Sequence, residues 1–250
     1  MKKLPIHDVL PRLKSALADH NEVVVEAPPG AGKTTVVPLE LMSEPWLAGK
    51  KILMLEPRRL AARGAAERMA QHLGESVGKR VGYRVRMESK VSSQTRIEVI
   101  TEGILTRMLQ DDPSLEEVGL LIFDEFHERS VDADIGLALC LEGRRLFADL
   151  REAPLKLLVM SATLEGDRLA AFLDGAPVVR SDGRQFPVSV HYTPLARRAN
   201  APRDALLNHV FNTVISALDS TDGSVLVFLP GQSEIHKLAE RLRERGAAGI

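Results

Sequence analysis

Val23-Val24-Val25-Glu26-Ala27-Pro28-Pro29-Gly30-Ala31-Gly32-Lys33-Thr34-Thr35-Val36-Val37 is the stretch whose reading decides the fold. Three consecutive valines suit a strand covered on both faces. Small residues and prolines follow, and then the apolar spacing of a helix. A strand, a glycine-containing loop and a helix in that order form a cradle for phosphates. Backbone N–H groups curl around the anion, and the helix N-terminus adds partial positive charge. Pro29, Gly30, Ala31, Gly32, Lys33, Thr34 and Thr35 are therefore the candidate nucleotide-binding residues. Lys33 is suited to the β- and γ-phosphates and the Thr34 hydroxyl to a magnesium ion. Ala27 stands where the strict pattern has glycine, but a strand exit needs only ordinary backbone angles. A glycine turn before a lysine-capped helix is the plainer alternative; strand before and helix after argue against it. Pro38 is expected to remove a hydrogen bond and kink the helix.

A second stretch carries the complementary charge. Leu120-Leu121-Ile122-Phe123 runs into Asp124-Glu125-Phe126-His127. Two carboxylates after an apolar run are costly unless they leave the core at the strand's carboxyl end. Ligands of open parallel sheets bind there. Asp124 is read as the second magnesium residue, Glu125 as the group that orients the attacking water, and His127 as a link to a neighbouring strand end or domain. An acidic strand end alone is common; paired with the upstream loop it gains meaning.

The rest of the chain repeats the same rhythm. Val23–Glu26, Ile52–Leu55, Ile97–Ile100, Leu120–Phe123 and Leu155–Met160 read as buried strands. Val9–Ala18, Thr34–Met42, Leu60–Leu73, Ile104–Leu109 and Ala133–Leu150 read as helices. This predicts an α/β fold with a doubly wound, mostly parallel sheet. After about Asp174 prolines and glycine turns accumulate, with extended Val188–Tyr192 among them, marking a strand-rich linker. Ala205–Leu218 then reads as a helix, Val225–Leu229 as a buried strand, and Ile235–Leu242 as a helix closed by Gly246. One strand and two helices cannot form a two-faced sheet. Residues 1–185 are thus expected to form one domain, and 186–250 a linker with the incomplete start of a second.

Bulk composition narrows the class further. Hydrophobic residues make up 44% of the 250 residues and charged residues 27%, as in ordinary globular chains. Cys140 is the single cysteine, so an internal disulfide and a cysteine-based zinc site are excluded. That fits the reducing cytoplasm. No signal-peptide pattern or membrane-length apolar run is present. A net charge of −1 gives no general support for nucleic-acid binding, so any such role rests on local groups.

Asp124-Glu125-Phe126-His127, continued by Glu128-Arg129-Ser130, resembles the signature of DEAH-box helicases of superfamily 2, most closely the bacterial HrpB type. Other segments agree in order. Pro57-Arg58-Arg59-Leu60-Ala61-Ala62 and Thr101-Glu102-Gly103 resemble the family's nucleic-acid-contacting motifs. Ser161-Ala162-Thr163 resembles the segment that couples hydrolysis to strand separation. Phe228-Leu229-Pro230-Gly231-Gln232 resembles the first motif of the second RecA-like domain. The resemblance implies RecA-like domains, ATP or another nucleoside triphosphate with Mg2+, and RNA, or DNA, gripped through its backbone. It assigns Arg58, Arg59, Thr101, Glu102, Gly103 and Gly231 to nucleic acid, and Ser161 and Thr163 to coupling.

The residues agree with these assignments. Arginines at a strand exit suit sequence-independent phosphate contact, as do the Thr101 hydroxyl and the Gly103 amide. An aromatic content of 4% makes base stacking a minor grip. Arg68, on the helix after the arginine pair, is placed to stack on a nucleotide base. The competing readings are a phosphate-loop ATPase acting on protein partners and a non-enzymatic nucleotide-binding module; Glu125 argues against the latter. The remainder of the chain beyond Ile250 is the further expected partner, supplying the rest of the second domain, and no membrane is expected.

Overall fold

The computed structural model describes residues 3–162, 166–182, 187–195 and 205–246. By Cα proximity the chain divides into two compact units, Met1–Gln185 and Phe186–Ile250.

The first unit is built on one sheet. Its strands are β1 (Glu22–Glu26), β2 (Lys51–Leu55), β3 (Val81–Val85), β4 (Glu88–Lys90), β5 (Ile97–Ile100), β6 (Val118–Phe123), β7 (Lys156–Ser161) and β8 (Val178–Arg180). Their spatial order is β4-β3-β5-β2-β6-β7-β1-β8, and only the β3–β4 pairing is antiparallel. The predicted strands lie within one or two residues of these bounds. The β3–β4 hairpin and β8 were not anticipated. β8 pairs with β1, so the sheet continues past Asp174, where the change of rhythm suggested a boundary.

Helices α1 (Leu10–Asp19), α2 (Lys33–Leu41) and α3 (Arg59–His72) cover one face; α4 (Glu102–Asp111), α5 (Val131–Leu146) and α6 (Gly166–Phe172) cover the other. The period of two along each strand divides the core between the layers. Val23, Val25, Ile52, Met54, Leu120 and Ile122 pack toward α1–α3. Val24, Leu53, Leu55, Leu121 and Phe123 pack toward α4–α6. α2 continues through Pro38 to Leu41, so the proline does not end the helix.

The second unit contains α7 (Ala205–Ser220) and α8 (Gln232–Glu244), joined by a small cluster of Leu207, Val214, Leu238 and Leu242. Val225–Leu229 is not a strand, contrary to the sequence reading, and Leu226 and Phe228 are 78% and 87% exposed. A strand exists only in a ladder, and the described residues of this unit supply none. Val188–Tyr192 likewise pairs with no strand among the described residues and is exposed. Among the described residues no helix is long and apolar enough to cross a membrane.

Parallel pairing aligns the carboxyl ends of β5, β2, β6, β7 and β1 along one edge. The phosphate loop leaves β1 there. Gly32 caps α2 with φ of +97°, and a β-carbon on it would lie 2.7 Å from Leu4 Cδ1 and 3.2 Å from Ile6 Cγ2. The Ile6 amide also donates to the Ala31 carbonyl at 3.1 Å, so the N-terminal segment braces the loop. Gly32→Ala is therefore expected to destabilise the protein by about 1–3 kcal/mol in urea unfolding, from backbone strain and crowding. Gly64→Ala, within α3 and with open space around it, is expected to stabilise by about 0.5–1 kcal/mol. Equal effects at the two glycines would show that the braced loop imposes no such strain.

Candidate functional site

Every sequence-predicted group of the first unit that the structure describes lies along that carboxyl edge, apart from Arg68 on α3. The phosphate loop follows β1. Ser161 ends β7, Asp124 follows β6, Arg58 and Arg59 follow β2, and Thr101 follows β5. A cavity of about 600 Å3 is lined by Pro29, Gly30, Gly32, Lys33, Thr34 and Thr35 of the loop, by Glu125, and by Glu56, Arg58 and Arg68. The volume falls within the range of ordinary ligand pockets.

Lys33 is 3% exposed, and its Nζ lies 3.3 Å from Glu125 Oε1. A buried ammonium requires a countercharge, and Glu125 supplies it. Glu125 holds φ of +49°, a left-handed conformation uncommon for a residue with a side chain. Such local strain persists only where surrounding structure enforces it. The other Glu125 oxygen lies 3.3 Å from His127 Nδ1. The same nitrogen accepts the Ala162 N–H at 3.3 Å. His127 therefore does reach a neighbouring strand end, through the backbone beside Ser161. Thr163 lies outside the described residues.

Asp124 is 3% exposed. Its Oδ1 accepts the Glu125 N–H at 2.9 Å, while Oδ2 is buried with no hydrogen-bond partner among the described residues. Burial pushes its carboxyl up to about 6; the nearby Thr34 hydroxyl acts the other way, and the Glu125 charge adds to the rise. An unpartnered carboxylate oxygen beside a hydroxyl suits a hard cation. Among the described residues no three His, Cys, Asp or Glu side chains form a cage of their own. Mg2+ does not require one, because it binds through one or two protein oxygens, phosphates and water. The residues present thus fit Mg2+.

The structure adds Glu56, which the sequence reading passed over. It is 3% exposed, and burial pushes its carboxyl up to about 7, with the charge of Asp124 as the next cause and the Arg58 N–H acting against it. The signal was present in the sequence as a carboxylate at the end of a buried strand, the same pattern that singled out Asp124.

The arginines are placed less simply than expected. Arg58 pairs with Glu128 and faces the cavity. Arg59 donates to the Arg86 carbonyl of the β3–β4 hairpin at 3.1 Å. Thr101 is the N-cap of α4, and the first helical bond there runs from Ile104 N–H to Thr101 O at 2.9 Å, so the Glu102 and Gly103 amides precede the ladder. The Glu102 carboxylate accepts the Ser130 hydroxyl. Gly231 is the N-cap of α8, in the second unit. Cys140 is buried, with its thiol pushed up to about 12 by that burial, and takes no part in this edge.

Residues 9–172 match the DEAD/DEAH box helicase family model, which is more than half of the chain. The chain belongs to the DEAD/DEAH box helicase family. The ATP-dependent RNA helicase HrpB of Escherichia coli K12 is 49% identical over 245 residues, covering 98% of this chain and 29% of that protein. The ATP-dependent RNA helicase HrpA of the same organism is 34% identical over 245 residues, covering 96% of this chain and 18% of that protein. A crystal structure of the E. coli DEAH/RHA helicase HrpB matches with a TM-score of 0.86 at 49% identity, covering 97% of this chain and 30% of that one. This chain therefore spans about three-tenths of the length of HrpB. The eight-stranded, mostly parallel sheet is the RecA-like fold expected of a DEAH-type helicase.

The raised carboxyls make the free protein's stability depend on pH. Glu56 and Asp124 hold protons more readily folded than unfolded. Their contribution is therefore fully present below the ordinary carboxylate range and is lost as pH rises through about 6 and about 7. Glu56→Gln removes one of the two. Its unfolding free energy is expected to gain on the parent by about 1–3 kcal/mol between pH 5 and pH 8. Urea unfolding across that range measures the gap; a constant gap would show that Glu56 titrates alike in both states.

Proposed function

We propose that this chain is the nucleotide-binding portion of an ATP-dependent RNA helicase, in which nucleoside triphosphate hydrolysis drives movement along, or separation of, nucleic-acid strands. The carrying observation is that Lys33, Thr34 and Glu125 line one cavity at one end of a parallel sheet, with Asp124 buried beside Thr34 and Glu125. The names of HrpB and HrpA, both ATP-dependent RNA helicases, support the substrate class. Residues 1–185 are the first RecA-like domain, and 186–250 the linker and the beginning of a second, which the remainder of the chain would complete. The single cysteine is in keeping with a cytoplasmic location.

The roles follow from chemistry. The backbone N–H groups of residues 30–35 surround the phosphates, with Pro29 shaping the entry to the loop, and Lys33 exchanges Glu125 for the β- and γ-phosphates. The Thr34 hydroxyl and Asp124 would hold Mg2+, Asp124 through the oxygen that lacks a partner. Held there, the ion would supply positive charge against the phosphates. Once Lys33 turns to phosphate, Glu125 is left to accept a proton from the attacking water. His127 Nδ1 lies within reach of either Glu125 or the Ala162 amide, which would link the hydrolytic carboxylate to the backbone beside Ser161. Arg68 projects into the same cavity from α3, where it would stack on the base. Arg58, Arg59, Thr101 and the first amides of α4 would hold the nucleic-acid backbone; Gly231, at the start of α8, would be a separate nucleic-acid contact of the second unit.

Lys33→Ala is expected to weaken binding of a fluorescent ADP at least about thirtyfold, some 2 kcal/mol, because it removes the charged partner of the phosphates. In the full chain, Glu125→Gln is expected to retain nucleotide binding while hydrolysis falls roughly 10²–10⁴-fold with RNA present. Unchanged affinity in the first variant, or parental turnover in the second, would refute the respective role.

The double variant Arg58→Ala, Arg59→Ala is expected to weaken RNA binding equally for unrelated sequences. Each lost phosphate contact should reduce the slope of log affinity against log salt by about one. An unaltered slope would mean that the contacts with Glu128 and the Arg86 carbonyl are the arginines' whole role.

A further inference from the structure

We propose that Glu56 is a further carboxylate of the magnesium–nucleotide site, holding water of the metal's coordination shell from the β2 side of Asp124. This rests on the function proposed above and deepens it.

The placement is fixed by the backbone. β2 and β6 are parallel neighbours with Leu55 opposite Phe123, so Glu56 and Asp124 are the next pair in register. Both remain in the ladder: the Asp124 N–H donates to Leu55 O at 2.9 Å and the Glu56 N–H to Ile100 O at 2.9 Å. The period of two decides their face. Ile52 and Met54 on β2, and Leu120 and Ile122 on β6, pack toward α1–α3, so the alternation turns Glu56 and Asp124 to that same side. α2, which begins at the phosphate loop, lies on this face. Glu56 accordingly lines the cavity with Lys33, Thr34 and Glu125.

A purely structural role accounts poorly for a carboxylate here. Glu56 Oε1 accepts only a long bond, 3.4 Å, from the Arg58 N–H, while the Arg58 guanidinium is turned to Glu128. A buried carboxylate without its own cation is costly, and an amide or apolar residue would cost less. Lys33 faces Glu125. Asp124 Oδ2, in a residue 3% exposed, is buried without a hydrogen-bond partner among the described residues. Two register-paired carboxylates short of positive charge are what a hydrated divalent cation satisfies. Direct coordination by all three acids is not the arrangement, since among the described residues they form no metal-holding group. Mg2+ retains several waters, and acceptors in its outer shell orient them.

The test reads metal dependence rather than turnover. Affinity for a fluorescent ADP is measured from EDTA through rising Mg2+ for the 250-residue chain and for Glu56→Gln, Glu56→Ala and Lys33→Ala, each checked for folding by circular dichroism. The parent should bind more tightly as Mg2+ rises. Glu56→Ala should raise the half-saturating Mg2+ about tenfold, while its affinity in EDTA stays at the parental value. Glu56→Gln, which keeps an acceptor oxygen, should show a smaller shift in the same direction. Unchanged midpoints in both Glu56 variants overturn the proposal, as does an equal loss of affinity with and without Mg2+. A parent that binds no nucleotide, or binding that Lys33→Ala leaves intact, instead overturns the phosphate-loop reading on which it rests.

Discussion

One electrostatic constraint organises the working edge of this protein: a buried ammonium, Lys33, set among carboxylates that a parallel sheet brings to one end. Asp124 and Glu56 are each 3% exposed, and Glu125 contacts Lys33 at 3.3 Å. Carboxylates collected in a region of low polarity raise one another's proton affinity, and burial does the same. The free protein tolerates this through Lys33, through backbone amides, and through protonation near neutral pH. Under the function proposed above, a bound magnesium nucleotide would replace those makeshift partners with a divalent cation. The edge is consequently less stable than a site of the same shape lined with apolar groups, and its deficit of positive charge would become affinity for the proposed metal.

The rest of the domain serves that convergence. Strands buried on both faces need helices on both sides, and valine-rich β1 with aliphatic β2, β6 and β7 obtains them. Right-handed parallel crossovers bring successive carboxyl ends to the same edge. Five segments far apart in sequence, ending at Glu26, Leu55, Ile100, Phe123 and Ser161, thereby become neighbours. The N-terminal segment contributes by a different route, with Leu4 and Ile6 filling the space beside Gly32.

Much of this was legible because the signals were local. The loop Ala27–Thr35 and the acids Asp124-Glu125 declare their chemistry within a few residues of one strand, and the strands themselves are unbroken aliphatic runs. What escaped needed partners distant in sequence. Val81, Tyr83 and Val85 alternate inward with period two, yet Lys79, Arg80, Arg84 and Arg86 gave the stretch a basic, solvated look. Glu56 was hidden by the two arginines that follow it; its meaning appears only once β2 lies beside β6. Val225–Leu229 failed in the opposite direction. Its composition is that of a buried strand, but the described residues beside it provide no ladder. The sequence placed Arg58 and Arg59 at a strand exit suited to phosphate, but their contacts with Glu128 and the Arg86 carbonyl depend on residues distant in the chain.

His127 gives the edge its directional link. Its Nδ1 lies 3.3 Å from both the Ala162 amide and Glu125 Oε2, but these contacts demand opposite states of one nitrogen. Accepting the Ala162 N–H requires a bare lone pair, which in a neutral ring leaves the proton on Nε2. Donating to Glu125 requires a proton on Nδ1, and then the Ala162 amide loses its acceptor. The two arrangements exclude each other. The contact of Lys33 with the other Glu125 oxygen bears on which of the two forms. The left-handed backbone of Glu125 at φ +49° limits how far it can retreat from that choice. Under the proposed function, a change at Glu125 would therefore reach the backbone that follows β7 through one imidazole.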